Sequence, residues 1–153
     1  MALEFSLQTV LDYRHSRVEA LEIQLGRVLY EQQQAQQVWE ALQENQRALF
    51  AEIRQKQAGT LDLAAIAQLR FNLKHLEQRL AQQAARLAEL AQQVDEARAR
   101  LVAAKQDEEA LVVLKNKELE RYQAELHRIE NSQRDDLYIM RAHHRRASGS
   151  AAL

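Results

Sequence analysis

Histidine and acidic side chains are the residues of this sequence that could hold a metal ion or transfer protons. The five histidines are dispersed except for one adjacent pair, His143 and His144. Neighbouring residues on a helix point about 100° apart, so this pair would chelate a metal poorly. The sequence has no cysteine, and neither an HExxH nor a CxxC pattern occurs in it. We therefore predict no metal site and no thiol nucleophile.

Signatures of nucleotide binding and of nucleophilic catalysis are also absent. The sequence has no glycine-rich phosphate loop and no GxSxG. Most of its glutamates lie three or four residues from Lys or Arg, as Glu125 does from Arg128, which is the spacing of surface ion pairs on a helix. The basic end RAHHRR (141–146) lacks interleaved aromatic residues and is weak support for RNA binding. We predict no catalytic residue, no cofactor, no enzymatic activity and no nucleic-acid partner.

The elements that position these residues must be long helices. The 153 residues include no proline and only three glycines, and the formal net charge is −1. The excess of Ala, Leu, Gln, Glu and Arg is typical of coiled coils. No apolar run approaches the roughly 20 residues that a membrane span needs, and MALEFSLQ lacks the pattern of a signal peptide. We expect a soluble protein.

Helix-breaking residues occur together at one internal place, Ala58-Gly59-Thr60. Glycine can adopt the left-handed conformation that ends a helix, and threonine can cap the next one. The final SGSAAL has no helical periodicity. We therefore predict one coiled-coil hairpin over 1–147, with a helix over 3–57, a turn at 58–60, a second helix over 61–146, and a disordered tail at 148–153.

Apolar residues recur in both predicted helices at alternating spacings of three and four, which indicates a coiled-coil seam. Because a three-residue turn makes successive helices antiparallel, the predicted fold class is all-α, a long antiparallel two-helix coiled coil. The seam of the first helix is formed by Leu7, Leu11, Arg14, Val18, Leu21, Leu25, Val28, Gln32, Ala35, Trp39, Leu42, Gln46, Leu49 and Ile53. The seam of the second helix is formed by Ile66, Leu69, Leu73, Leu76, Leu80, Gln83, Leu87, Leu90, Val94, Ala97, Leu101, Ala104, Glu108 and Leu111.

The charged seam residue Arg14 needs an explanation. Folding the two halves of the seam onto each other about residue 59 places Trp39 near Leu80 and Arg14 opposite Ala104. Glu108 then lies one turn away from Arg14 across the seam. We predict an ion pair between Arg14 and Glu108, which would fix the register more than it adds stability. The alternative is that Arg14 extends out of the seam into solvent.

The second predicted helix is about 30 residues longer than the first and must overhang it. A new apolar stripe begins where the first helix runs out of partner residues, and no part of the chain remains to cover it. Exposed apolar stripes of this kind usually mark an interface. This overhang stripe is the predicted partner-binding surface, and it consists of Leu119, Tyr122, Leu126, Ile129, Leu137 and Met140.

Two segments of the sequence resemble a known family. The opening F-x-L-Q-x-V-L-D-Y-R (5–14) and the later LKNKELERYQAELHRIE (114–130) are similar to the start and to the charged C-terminal helix of the FliJ family of flagellar (type III) export proteins. The segment after Glu130 is less like the usual ending of that family.

The resemblance implies a stalk-like cytoplasmic protein, peripheral to the export machinery of the inner membrane. Such a protein would couple a hexameric export ATPase to the export gate, would contact export chaperones, and would meet the membrane only through protein partners. The residue pattern alone leaves an alternative, a structural adaptor or scaffold that dimerises through 119–140. Whether the chain is a monomer or a homodimer stays open.

Overall fold

Two long helices packed against each other form an all-α hairpin. The computed structural model describes residues 4–60 and 62–151. Helix α1 is Gln8–Ala58, with 51 residues, and helix α2 is Leu63–Ala151, with 89 residues. No strand occurs within the described ranges. The predicted fold class is confirmed, including the longer second helix.

Helix α1 begins later than the predicted residue 3, which itself lies outside the described residues. The backbone N–H of Gln8 donates to the carbonyl of Phe5 at 3.0 Å, and the N–H of Leu11 donates to the carbonyl of Leu7 at 2.9 Å. Residues 5–8 therefore form a turn that leads into the helix. This turn buries Phe5, which is 7% exposed, and leaves the predicted seam residue Leu7 37% exposed.

The loop between the helices differs in detail from the predicted turn at 58–60. Ala58 is still helical, and Gly59 does not have a positive φ, so the left-handed helix end expected there is wrong. Asp62 caps α2 in place of Thr60, because its Oδ1 accepts the N–H of Ala65 at 3.2 Å and its carbonyl accepts that of Ile66 at 3.1 Å. An aspartate is a strong N-cap and also suits the helix dipole.

Helix α2 continues through most of the segment expected to be a disordered tail. It ends at Ala151, and residues 152–153 lie outside the described residues. The hydroxyl of Ser148 donates to the carbonyls of His144 and Arg145, both at 3.1 Å. This back-bonding satisfies a serine inside a helix, so the polar residues here do not end it.

The predicted seam is the buried stripe of both helices. Every seam position except Leu7 is buried or partly buried, including the polar positions. Because buried apolar residues recur at heptad spacing on each helix, burial of this stripe is the main source of helix stability.

The compact unit formed by Ser16–Lys105 contains two apolar clusters. In one, Trp39 and Leu49 pack against Leu42, Leu76 and Leu80, which confirms the predicted position of Trp39 near Leu80. In the other cluster, Leu101 packs against Val18, Leu21 and Ala104.

Polar contacts in the same unit also show antiparallel pairing. The side-chain amide of Gln83 donates to the carbonyl of Ala35 at 2.8 Å, so this seam glutamine is satisfied inside the coil. On the surface, Arg86 lies 3.6 Å from Glu31. An exposed pair of this kind contributes about 0–1 kcal/mol to stability.

The second compact unit contains the described residues of 1–15 and 106–153. Polar bonds join its short stretch of α1 to α2. Arg14 Nη1 donates to the carbonyl of Asp107 at 2.7 Å, and Lys115 Nζ donates to Gln8 Oε1 at 2.8 Å. The antiparallel order is therefore the same here, and α2 continues beyond these contacts to Ala151.

Candidate functional site

The candidate site is the part of α2 that carries the overhang stripe. Near the start of this part, Lys115 Nζ on α2 donates to Gln8 Oε1 on α1 at 2.8 Å. A groove follows, and Phe5, Thr9 and Lys115 line it together with Leu119. The overhang stripe therefore begins at the rim of the paired part of this unit.

The overhang stripe is open to solvent over most of its length. Tyr122 is partly buried, and the other members are exposed. The exposed fractions are 43% for Leu119, 40% for Leu126, 41% for Ile129, 55% for Leu137 and 66% for Met140. The spacing of the stripe is that of a coiled-coil face, so the surface has the form that packs against another helix or helical bundle.

The pair of Glu125 and Arg128 lies beside the stripe. Arg128 donates to Glu125 twice, from Nη2 to Oε1 at 2.7 Å and from Nε to Oε2 at 3.1 Å. These hydrogen bonds, and secondly the positive charge of Arg128, hold the pKa of the Glu125 carboxyl below its ordinary value. The same contact raises the pKa of Arg128. Both side chains therefore stay charged and engaged with each other near neutral pH.

The structure gives Arg14 and Glu108 other partners than the ion pair predicted between them. Arg14 binds the backbone carbonyl of Asp107. Glu108 Oε1 lies 2.8 Å from Nδ1 of His15, which donates when that nitrogen carries a proton. The long Arg14 side chain reaches the turn of α2 that contains Glu108, but its hydrogen bond is to a main-chain oxygen of that turn. A direct Arg14–Glu108 interaction stays a prediction that a double-mutant cycle can test.

Two further apolar residues near the end of α2 are exposed and were not predicted from the sequence. Tyr138 is 75% exposed and Ile139 is 63% exposed. They fall outside the overhang stripe, so a search for heptad spacing passes over them. The signal that could have found them is the uninterrupted run LYIM (137–140), which is apolar around the whole circumference of a helix.

Residues 4–60 and 62–151 contain neither a metal-binding cluster nor a membrane-spanning helix. No group of three or more His, Cys, Asp or Glu is placed to hold a metal ion. No helix in these ranges combines the length and the apolar character needed to cross a membrane.

Comparison with known proteins gives one match. The family model described as "Flagellar FliJ protein" matches residues 3–147 of the chain. The match includes both segments that resemble the family and the whole overhang stripe. No curated protein and no solved structure matches the chain.

Proposed function

Since the chain belongs to the FliJ family of flagellar export components, we propose that it is the stalk that couples a hexameric export ATPase to the export gate. In this role the end of α2 docks into the ATPase ring, and the hairpin contacts the gate or export chaperones. The protein acts on the cytoplasmic side of the inner membrane and reaches the membrane through these partners. The family is non-enzymatic, so the work of the chain is binding.

The observation that carries this proposal is the exposed overhang stripe. Five of its six residues are exposed, by 40% to 66%. Burying apolar area of this kind against a partner contributes about 25 cal/mol per Å². An exposed apolar face near the end of a long helix supports insertion of that end into a ring.

The same stripe also favours a second candidate function, a scaffold that dimerises through 119–140. Heptad spacing suits a second copy of the chain as well as it suits another protein. The two candidates differ in the mass of the isolated chain and in the effect on an ATPase.

Analytical ultracentrifugation of the full chain, followed by an ATP hydrolysis assay, separates the two. The stalk proposal predicts a monomer that raises the hydrolysis rate of the export ATPase from the same organism. A stable dimer with no effect on hydrolysis would support the scaffold and overturn the stalk. A double variant with Ile23→Asp and Val102→Asp is the control, because these residues are 60% and 54% exposed outside the overhang stripe. Its effect on the ATPase should equal that of the wild type.

A further inference from the structure

One turn near the end of α2, residues 137–140, is apolar on every side. Leu137, Tyr138, Ile139 and Met140 are 55%, 75%, 63% and 66% exposed. Successive residues point about 100° apart on a helix, so these four side chains surround it. A helix that is apolar all round is normally buried on all sides. A flat surface such as a membrane would cover only part of this turn, whereas an enclosing protein would cover all of it.

A cationic stripe runs along the same turns. Arg134, Arg141 and Arg145 lie on one face, since they are spaced by seven and four residues, and Tyr138 lies between them on that face. Within the described part of the chain, none of these arginines forms an ion pair. No acidic residue occurs between 137 and 153. These charges therefore differ from that of Arg128, which Glu125 neutralises.

The apolar and cationic residues share one concave surface. Leu137 and Met140, the last two members of the overhang stripe, line a shallow depression together with Arg141, His144 and Arg145. A partner group that fills this depression contacts the apolar side chains of Leu137 and Met140 and lies beside the guanidinium groups of Arg141 and Arg145. Guanidinium groups bind carboxylates in a two-pronged geometry and are the side chains most suited to ion pairs at an interface.

We propose that this end of α2 recognises an acidic collar, an apolar surface of the partner protein that bears Asp or Glu side chains against Arg141 and Arg145. The inference rests on the proposed function, because the partner it describes is the ATPase ring that takes up the helix end. It assigns a role to the basic segment 141–146, which is to select the partner by charge while the apolar turn supplies contact area.

Binding of the full chain to the purified export ATPase of the same organism, measured over a series of salt concentrations, tests the inference. The variant combines Arg141→Gln with Arg145→Gln, which keeps side-chain bulk and removes both charges. The matched control combines Arg98→Gln with Arg100→Gln, two exposed α2 arginines that also form no ion pair in the described ranges. Circular dichroism establishes that both variants remain helical.

The expected result is that wild type and control bind alike and weaken as salt increases, because close charge pairs are screened. The Arg141 and Arg145 variant should bind about tenfold or more weakly at low salt, and its affinity should depend less on salt. Unchanged affinity and salt dependence in this variant would overturn the inference and leave the proposed function standing. A wild type that does not bind the ATPase would overturn the proposed function, and this inference with it.

Vesicles that contain phosphatidylglycerol provide the second arm of the experiment. We expect the Arg141 and Arg145 variant to lose affinity for the ATPase, whether or not its binding to the vesicles also changes. If that variant loses vesicle binding but keeps full affinity for the ATPase, the occupant of the cationic stripe is a lipid surface and the acidic collar is wrong. Equal loss of ATPase affinity in the Arg98 and Arg100 control would also overturn it, because the effect would then reflect net charge.

Discussion

Arg14 shows how a single charged residue is accommodated in an apolar seam. It is partly buried, and its guanidinium donates to the carbonyl of Asp107 at 2.7 Å. The sequence predicted the turn of α2 that Arg14 reaches, because the heptad register determines which turns face each other. It did not predict the acceptor. A long flexible side chain can donate to any oxygen of that turn. Every residue has a main-chain carbonyl, so the sequence does not show which one accepts the hydrogen bond.

Replacing Arg14 with methionine tests this contact. Methionine keeps an unbranched apolar stem but loses the hydrogen bond, so we expect a loss of about 1–2 kcal/mol in the free energy of unfolding. In a double-mutant cycle with Glu108→Gln, the coupling between the two sites should stay below about 0.5 kcal/mol, because Arg14 binds a carbonyl and not the carboxylate. Urea unfolding of the four proteins gives both values. A coupling well above that limit would establish the direct ion pair.

The pair of Glu125 and Arg128 has a consequence for pH dependence. The pKa of Glu125 is lowered, so the stabilising contact is fully present above the ordinary pKa of a glutamate and is lost as pH falls through the lowered value. A carbon-13 NMR titration should give a lower pKa for Glu125 in the wild type than in an Arg128→Gln variant. The same pKa in both proteins would contradict the contact, and circular dichroism should show that helix content is equal.

At the scale of the helices, three glutamines interrupt the seam and do not have equal roles. Gln83 donates to the carbonyl of Ala35 at 2.8 Å and is thus satisfied across the coil. Gln32 and Gln46 are partly buried, and neither side chain makes a hydrogen bond among the described residues. The heptad pattern predicted the position of each glutamine. It could not distinguish the bonded one from the others, because that difference depends on side-chain conformation.

Substitution with leucine should separate the two kinds of glutamine. Gln46→Leu fills a seam position without breaking a bond, so we expect Tm to rise by about 2–4 °C, which corresponds to about 1 kcal/mol in a protein of this size. Gln83→Leu removes a hydrogen bond worth about 1 kcal/mol and should raise Tm less, or lower it. Thermal unfolding followed by circular dichroism measures both. Equal shifts in the two variants would show that the bond from Gln83 contributes nothing.

The helix ends were the least predictable feature of the elements. Gly59 and Thr60 correctly indicated where the chain reverses, because helix-breaking residues are rare in this sequence. The cap itself is Asp62, since its carboxylate reaches the N–H of Ala65. At the other end, Ser148 bonds back to carbonyls of α2, so the serine and glycine that suggested a disordered tail are tolerated within the helix. Local composition indicates a helix end, but hydrogen bonding decides it.

For the molecule as a whole, the central question is whether stability and binding are located in different parts of the chain. The buried seam holds the hairpin together, whereas five of the six residues of the overhang stripe are exposed. Changing Leu126 and Ile129 to Asp should therefore leave helix content and Tm nearly unchanged, because both residues are about 40% exposed. The same variant should lose binding to the ATPase, since two charges would enter an apolar interface.

The control for this variant is the pair Ile23→Asp and Val102→Asp, which changes exposed apolar residues outside the stripe and should keep binding. Full binding by the Leu126 and Ile129 variant would show that the function lies elsewhere in the chain. A large fall in Tm would show that the stripe is packed in the isolated protein.

The sequence predicted an exposed apolar surface on α2 but not what binds to it. Two helices of unequal length leave part of the longer one uncovered, and this follows from the position of the single loop. The identity of a partner depends on the partner's own surface, which this chain does not encode. The match to the FliJ family over residues 3–147 assigns the export apparatus, and the contact within that apparatus is the part that experiment must decide.

Site-specific cross-linking tests that contact most directly. The chain has no cysteine, so one introduced cysteine carries a photoreactive benzophenone at a single known position. With the label at Leu126→Cys, illumination in the presence of the export ATPase should give an adduct of one chain and one ATPase subunit, identified by mass spectrometry. With the label at Val102→Cys, which is also exposed, no such adduct should form. An adduct from position 102 and none from position 126, or an adduct between two copies of the chain, would contradict docking of α2 into the ATPase.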